Sequence, residues 1–176
     1  MIHVVLLRGI NLAAKRRVAM ADLRAWLTDL GYTDVRTLLQ SGNVVLSTSK
    51  RPATVRKEVE AALLEGAGFT VDCVLRTAQE LRAVVDANPF GDVVTDPSRY
   101  LVSFLDVPGR WPTVDAASFE PEQVHLAERE AYFWVPGGIQ KSKILAAFPS
   151  RKGEVATVRN WNTVTKLLAM AERDGT

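Results

Sequence analysis

Thiols and imidazoles are scarce in this chain: one cysteine, Cys73, and two histidines, His3 and His125, among 176 residues. A single cysteine cannot close an internal disulfide, which excludes a disulfide-stapled scaffold. One thiol, two histidines and no HExxH pair leave no ligand set for zinc, so no metal and no cofactor are expected. No apolar run approaches the roughly 20 residues that span a bilayer, so no membrane is expected as a partner. The phosphate-cradling pattern GxxxxGK[ST] is absent, as are GxGxxG after a strand and the GxSxG elbow. The first eight residues carry neither a basic leader nor a small-residue cleavage site. They read as a strand of the mature fold, with the cytoplasm as the expected compartment.

Hydrophobic residues make up 47% and charged residues 24%, which places the chain among globular proteins and excludes disorder. The formal net charge of +2 conceals an asymmetry. Residues 77–130 hold ten acids against four bases, so the remainder is strongly basic. Residues 8–17 carry four bases and no acid, and residues 36–57 five bases and no acid. Residues 139–166 carry six bases against Glu154 alone. Such stretches are either scattered over a solvated surface or gathered into a face that attracts anions.

Hydrophobic spacing gives the order of elements. His3 to Arg8 is an apolar run that reads as a buried strand, and Met20, Leu23, Trp26 or Leu27, and Leu30 recur at helical spacing. Val35–Leu39 and Val44–Ser47 flank a turn at Ser41, Gly42 and Asn43, and Pro52 opens a helix with Val55, Val59, Ala62 and Leu63 on one face. Phe69 to Leu75 alternates as a half-buried strand. Thr77 with Glu80 three residues later predicts a capped helix to Ala87. The second half repeats the order: a strand at Tyr100–Leu105, a short helix at Thr113–Phe119, and a hairpin from Val124 to Val135. A helix in Ile139–Phe148, a strand at Val155–Val158 and a last helix at Asn162–Glu172 complete it. The expected fold class is α+β: two packed ferredoxin-like β-α-β-β-α-β units with an additional C-terminal helix. The expected boundaries are 1–76 for the first unit, 77–98 for a connecting helix and loop, and 99–176 for the second unit.

Four polar stretches are candidate ligand contacts. Arg8 ends a strand and is followed by Gly9, Asn11 and Lys15, which places a guanidinium fork beside exposed backbone amides, suited to a phosphate-like anion. Gln40, Ser41, Gly42 and Asn43 make a donor-rich turn, although turn formation alone explains them. A glycine pair leads into Lys141, Ser142 and Lys143, where helix-start amides and two ammonium groups would attract an anion. Arg159, Asn160, Trp161 and Asn162 bring a charge fork, amide donors and a π face together, the types used for phosphate contact and base stacking. The alternative for this last stretch is a helix cap with a packed tryptophan.

These residues together resemble the bacterial domain-of-unknown-function family 1697. The resemblance runs through Leu7-Arg8-Gly9-Ile10-Asn11 with Met20, Gln40 to Val44, Asn88-Pro89-Phe90, Ser142-Lys143, and Thr157 to Thr163 with Lys166 and Leu167. It implies a compact α+β protein of the bacterial cytoplasm and carries no activity with it. Family members usually have a glycine pair where this chain has Ala13-Ala14, and often an aromatic residue where it has Leu46.

The leading functional expectation is a metal-independent binding protein for a phosphate-bearing ligand, a nucleotide or nucleic acid. Arg8, Lys15, Lys141, Lys143 and Arg159 would neutralise phosphates, and Asn11, Asn43, Asn160 and Asn162 would donate directional hydrogen bonds. The alternatives are a small metal-free enzyme acting on an anionic small molecule, with Lys141 or Lys143 as its base or nucleophile, and a protein–protein interaction module.

Overall fold

The computed structural model describes residues 1–173. The runs of apolar alternation become two four-stranded antiparallel sheets, one in each of two compact units. The first unit holds β1 (Ile2–Leu7), α1 (Met20–Asp29), β2 (Thr33–Leu38), β3 (Asn43–Ser47), α2 (Pro52–Ala67) and β4 (Cys73–Thr77). Its strand order is β2-β3-β1-β4, with Val5 opposite both Val44 and Leu75. That order, with both crossover helices on one face, is compatible with the expected ferredoxin-like unit and makes the fold α+β.

The helices take that face because their apolar residues fall every three or four positions. Leu23 and Leu27 of α1 and Val55, Val59 and Leu63 of α2 are all fully buried against Val5, Leu7, Leu46 and Leu75. Each such side chain contributes about 1.5–3 kcal/mol by leaving water. On the opposite face of the sheet Val4, Leu6, Val45 and Val74 are buried as well, so the strands read as apolar runs rather than a strict alternation.

α3 (Ala78–Asp86) follows. Its predicted capping box forms in both directions: the Glu80 amide donates to Thr77 Oγ1 at 3.1 Å and the Thr77 amide to Glu80 Oε2 at 2.7 Å. The second unit holds β5 (Tyr100–Leu105), β6 (Gln123–Leu126), β7 (Glu130–Trp134), α4 (Lys143–Ala147) and β8 (Ala156–Asn160), in the order β6-β7-β5-β8. Its core is Leu101, Ala131, Phe133, Val135 and Ile144, flanked by Trp111, Phe119 and Phe148. α5 (Trp161–Glu172) closes the chain.

Three expectations shift. The strand expected from Phe69 begins at Cys73, because its partner β1 ends at Leu7, opposite Cys73, and the chain then turns at Gly9 with φ +67°. The helix expected over Thr113–Phe119 is a 3-10 turn at Ala116–Phe119. Among the described residues the compact units are 1–83 with 166–173, and 84–165. The borders thus fall inside α3 and α5 rather than at 76 and 99.

Candidate functional site

In the first unit the two polar stretches meet at one end of the sheet, and most of their side chains are spent on holding that end together. Asn11 sits at φ +53° and ties three segments. Its Nδ2 donates to Val18 O at 2.9 Å and to Gln40 O at 2.7 Å, and its Oδ1 accepts from the Val18 amide at 2.9 Å. Asn43 is fully buried, and its Nδ2 donates to Leu38 O and Ser41 Oγ. Gly42 is demanded twice over. Its φ is +85°, and a Cβ there would stand 2.8 Å from both Leu7 Cβ and Ile10 Cδ1. Asn11 and Asn43, expected as donors to a ligand, therefore donate to the protein's own carbonyls.

The β1–α1 loop gains its shape from these ties. The Asn11 amide donates to Arg16 O, Arg16 Nε to Gly9 O at 2.9 Å, and a second Arg16 nitrogen to Thr70 O at 2.8 Å. The Arg16 guanidinium also lies 4.7 Å from the Phe69 ring centroid. Left-handed backbone falls at Gly9, Asn11 and Arg16, not at Ala13 or Ala14, so the missing glycine pair costs this loop nothing. What the ties leave over is cationic. Among the described residues the side chains of Arg8, Lys15 and Arg17 have no hydrogen-bond or ionic partner, and Lys15 and Arg17 are exposed. The amides of residues 12–17 likewise have no protein acceptor among the described residues. Asp72 is the near acid by connectivity, since its carbonyl accepts from the Arg8 amide at 2.9 Å. Arg17 was not singled out from the sequence, although it belongs to the same basic run.

In the second unit the two remaining stretches border the start of β5. Arg99 donates to Pro136 O, and the Trp161 ring stacks on Tyr100 at 4.6 Å between centroids, 23° from parallel. Little of this is open to a ligand. The amides at the start of α4 already have an anion: Glu122 accepts from the Lys143 amide at 3.1 Å, from the Ile144 amide at 3.3 Å and from the Ser142 hydroxyl. Nothing in the sequence near Ser142 signals this, because Glu122 lies 20 residues away in the acidic segment. Lys141 and Lys143 are exposed, and among the described residues neither ammonium group has an ionic partner.

Arg159 is buried, contrary to its reading as a surface charge. One of its terminal nitrogens donates to Thr157 Oγ1 at 2.7 Å and to Val158 O at 2.9 Å, and burial pulls its pKa down to about 10. Asn160 caps α5 by accepting from the Thr163 amide at 3.0 Å. Asn162 is exposed. The structural alternative for this stretch, a cap with a packed tryptophan, is the one observed. Asn88 belongs to the same framework, accepting from the Phe90 amide and from Tyr100 Oη at 2.7 Å.

The remaining chemical candidates are internal. Cys73 is buried, and burial, reinforced by the neighbouring Glu60 carboxylate, pushes its thiol pKa well up, away from nucleophile chemistry. Among the described residues no three His, Cys, Asp or Glu side chains are placed to share a metal ion, and no helix is long and apolar enough to cross a membrane.

No curated protein matches the chain. In structure it is similar to the conserved bacterial protein SP0830 from Streptococcus pneumoniae, with a TM-score of 0.74 and 22% identity over 97% of this chain and 98% of that one. That likeness concerns the fold. The model of the family described as "Protein of unknown function (DUF1697)" matches residues 1–132, three quarters of the chain and both donor-rich stretches of the first unit, and the chain belongs to that family.

Proposed function

We propose that the β1–α1 loop is a phosphate-binding loop, and that the protein binds a phosphate-bearing ligand, a nucleotide or nucleic acid, without calling on a metal. The observation that carries this reading is the division of labour in the loop. Asn11 and Arg16 fix its backbone, while among the described residues the side chains of Arg8, Lys15 and Arg17 and the amides of residues 12–17 have no partner. A loop whose backbone is already fixed, with acceptor-free amides beside cations, favours an anion, because its ordering cost has been met by folding.

The chemistry needs no titrating group. Guanidinium and ammonium groups supply charge, amides supply direction, and the rate of encounter rises with the local positive potential. The test is an anisotropy titration of labelled single-stranded RNA, single-stranded DNA and nucleotides over a range of salt. Affinity should fall as salt rises. For a strand, Lys15→Ala and Arg17→Ala should each lower the slope of log affinity against log salt by about one. Absence of binding to every probe at low ionic strength, or binding indifferent to both substitutions, removes the reading.

A further inference from the structure

On the helix layer of the first unit a groove of about 440 Å³ opens between α1 and α2. Its aromatic wall is Trp26, which is half-buried and seated on the backbone of α2. A Cβ on Gly66 would come within 2.4 Å of the indole Cε2, so the glycine is what lets the ring lie against the helix. The floor is Ala61 and Ala62, residues too small to fill the space. Leu30, 40% exposed, adds apolar surface at the far end.

The charges of the groove are of one sign. Asp29, Glu58 and Glu65 line it, and no lysine or arginine does. Glu58 is held in place from outside the groove, accepting from Tyr32 Oη at 2.5 Å and from Lys50 Nζ at 2.7 Å, contacts that pull its pKa down. Asp29 and Glu65 have no ionic partner among the described residues. Glu65 follows on α2 within one residue of Gly66, against which the Trp26 ring rests, and Glu58 lies seven residues earlier, about 10 Å along the axis, while Asp29 lines the groove from α1.

We infer that this groove binds a linear aliphatic diamine or polyamine. One ammonium group would sit between Glu65 and the face of Trp26, where charge and ring quadrupole act together. The other would sit at Asp29 and Glu58, and the methylene chain between them would cover Ala61 and Ala62. A singly charged amine reaches only one end, and Asp29 and Glu65, without ionic partners among the described residues, disfavour an anion. The site is separate from the phosphate-binding loop and opposite to it in charge, so either can fail alone.

The test uses the full chain, with the Trp26 indole signal assigned by Trp26→Phe in a nitrogen-labelled NMR spectrum. Spermidine, whose terminal ammonium groups stand roughly that far apart when extended, is the probe, and octylamine the singly charged control, at about 0.1 M salt. Spermidine should shift the Trp26 signal saturably and bind more tightly than octylamine. Glu65→Gln and Asp29→Asn should each weaken it by about threefold or more. Ala61→Leu, an exposed helix position that accepts a larger side chain, should abolish the shift while leaving the thermal midpoint in place. A Trp26 signal indifferent to spermidine overturns the inference. So does a shift that survives Ala61→Leu, or a lysine-bearing peptide that displaces spermidine and binds more tightly, which would make the groove a peptide site.

Discussion

The two sheets have the same strand order and antiparallel pairing, yet their crossovers differ in kind. The first unit joins its strands through helices of 10 and 16 residues, the second through a four-residue 3-10 turn and through a three-residue 3-10 turn with a five-residue helix. Strand order is therefore set by the strands, through their apolar faces and pairing, and the crossovers are free to shrink. What replaces the missing helices is bulk: Trp111, Phe119 and Phe148 cover the face that α1 and α2 cover in the first unit. The ends differ as well. In the second unit the entries to α4 and α5 are closed by Ser142 with Glu122 and by Asn160, whereas α1 begins at Ala19 with no side-chain cap, and the loop before it has amides without an acceptor. One unit has supplied its own anion, and the other has left that place open.

The sharpest way to break the first unit's rim is Gly42→Ala. The new Cβ meets Leu7 and Ile10 at 2.8 Å in a left-handed backbone, and Leu7 Cβ cannot swing aside. Strain and overpacking together should cost about 3 kcal/mol or more. Urea denaturation would measure the loss, and hydrogen exchange should accelerate first in the amides of β1 and β3. A midpoint within error of the parent would show that the rim yields more readily than its packing implies.

The matching change in the second unit is Glu122→Gln. It keeps the shape but removes the charge that satisfies the Ser142 hydroxyl and two amides at the start of α4. A loss of about 2 kcal/mol is expected, as for a hydrogen-bonded charge, with the amide shifts of Lys143 and Ile144 moving most. The second unit should gain no phosphate affinity, since a five-residue helix has little dipole to offer. A gain comparable to that of the β1–α1 loop would erase the contrast between the units.

Much of the architecture was legible because burial and period agree. Val5, Leu23, Leu27, Val55, Val59 and Leu63 stand where helical or strand spacing puts them. Phe69 and Val71 were read as core, and they do pack there, but sequence does not show that β1 has turned away before they could pair with it. The candidate site was harder to read, since composition names the donor and not its acceptor. Asn11 and Asn43 have the chemistry of ligand contacts and spend it on Val18, Gln40 and Leu38. In β8 the usual polarity is reversed: Thr157 and Arg159 face inward and Val158 is 44% exposed. An alternation rule applied to that strand points the arginine at solvent. Arg8 and Lys15 were found by their run of charge, a signal that survives without knowledge of orientation.

The two histidines extend the comparison to pH. His125 lies exposed on β6, whereas the His3 ring on β1 is fully buried and neither nitrogen has a hydrogen-bond partner among the described residues. Burial holds the His3 pKa below its ordinary 6.5. The chain's N-terminus adds to that effect, while the Lys50 backbone and the Glu80 charge oppose it without overcoming burial. The unfolded chain therefore takes up this proton more readily than the folded one. The stability that a neutral His3 preserves is complete above about pH 6.5 and is lost progressively as pH falls through that value toward the folded-state pKa. At neutral pH the effect vanishes, and between about pH 7 and 5 the urea midpoint should slope downward as acid is added. His3→Leu should flatten that part of the slope whatever it does to the midpoint at neutral pH, because leucine has no proton to bind. A variant with the parent's slope would place the acid sensitivity on other groups, and the buried imidazole would then distinguish the first unit by packing alone.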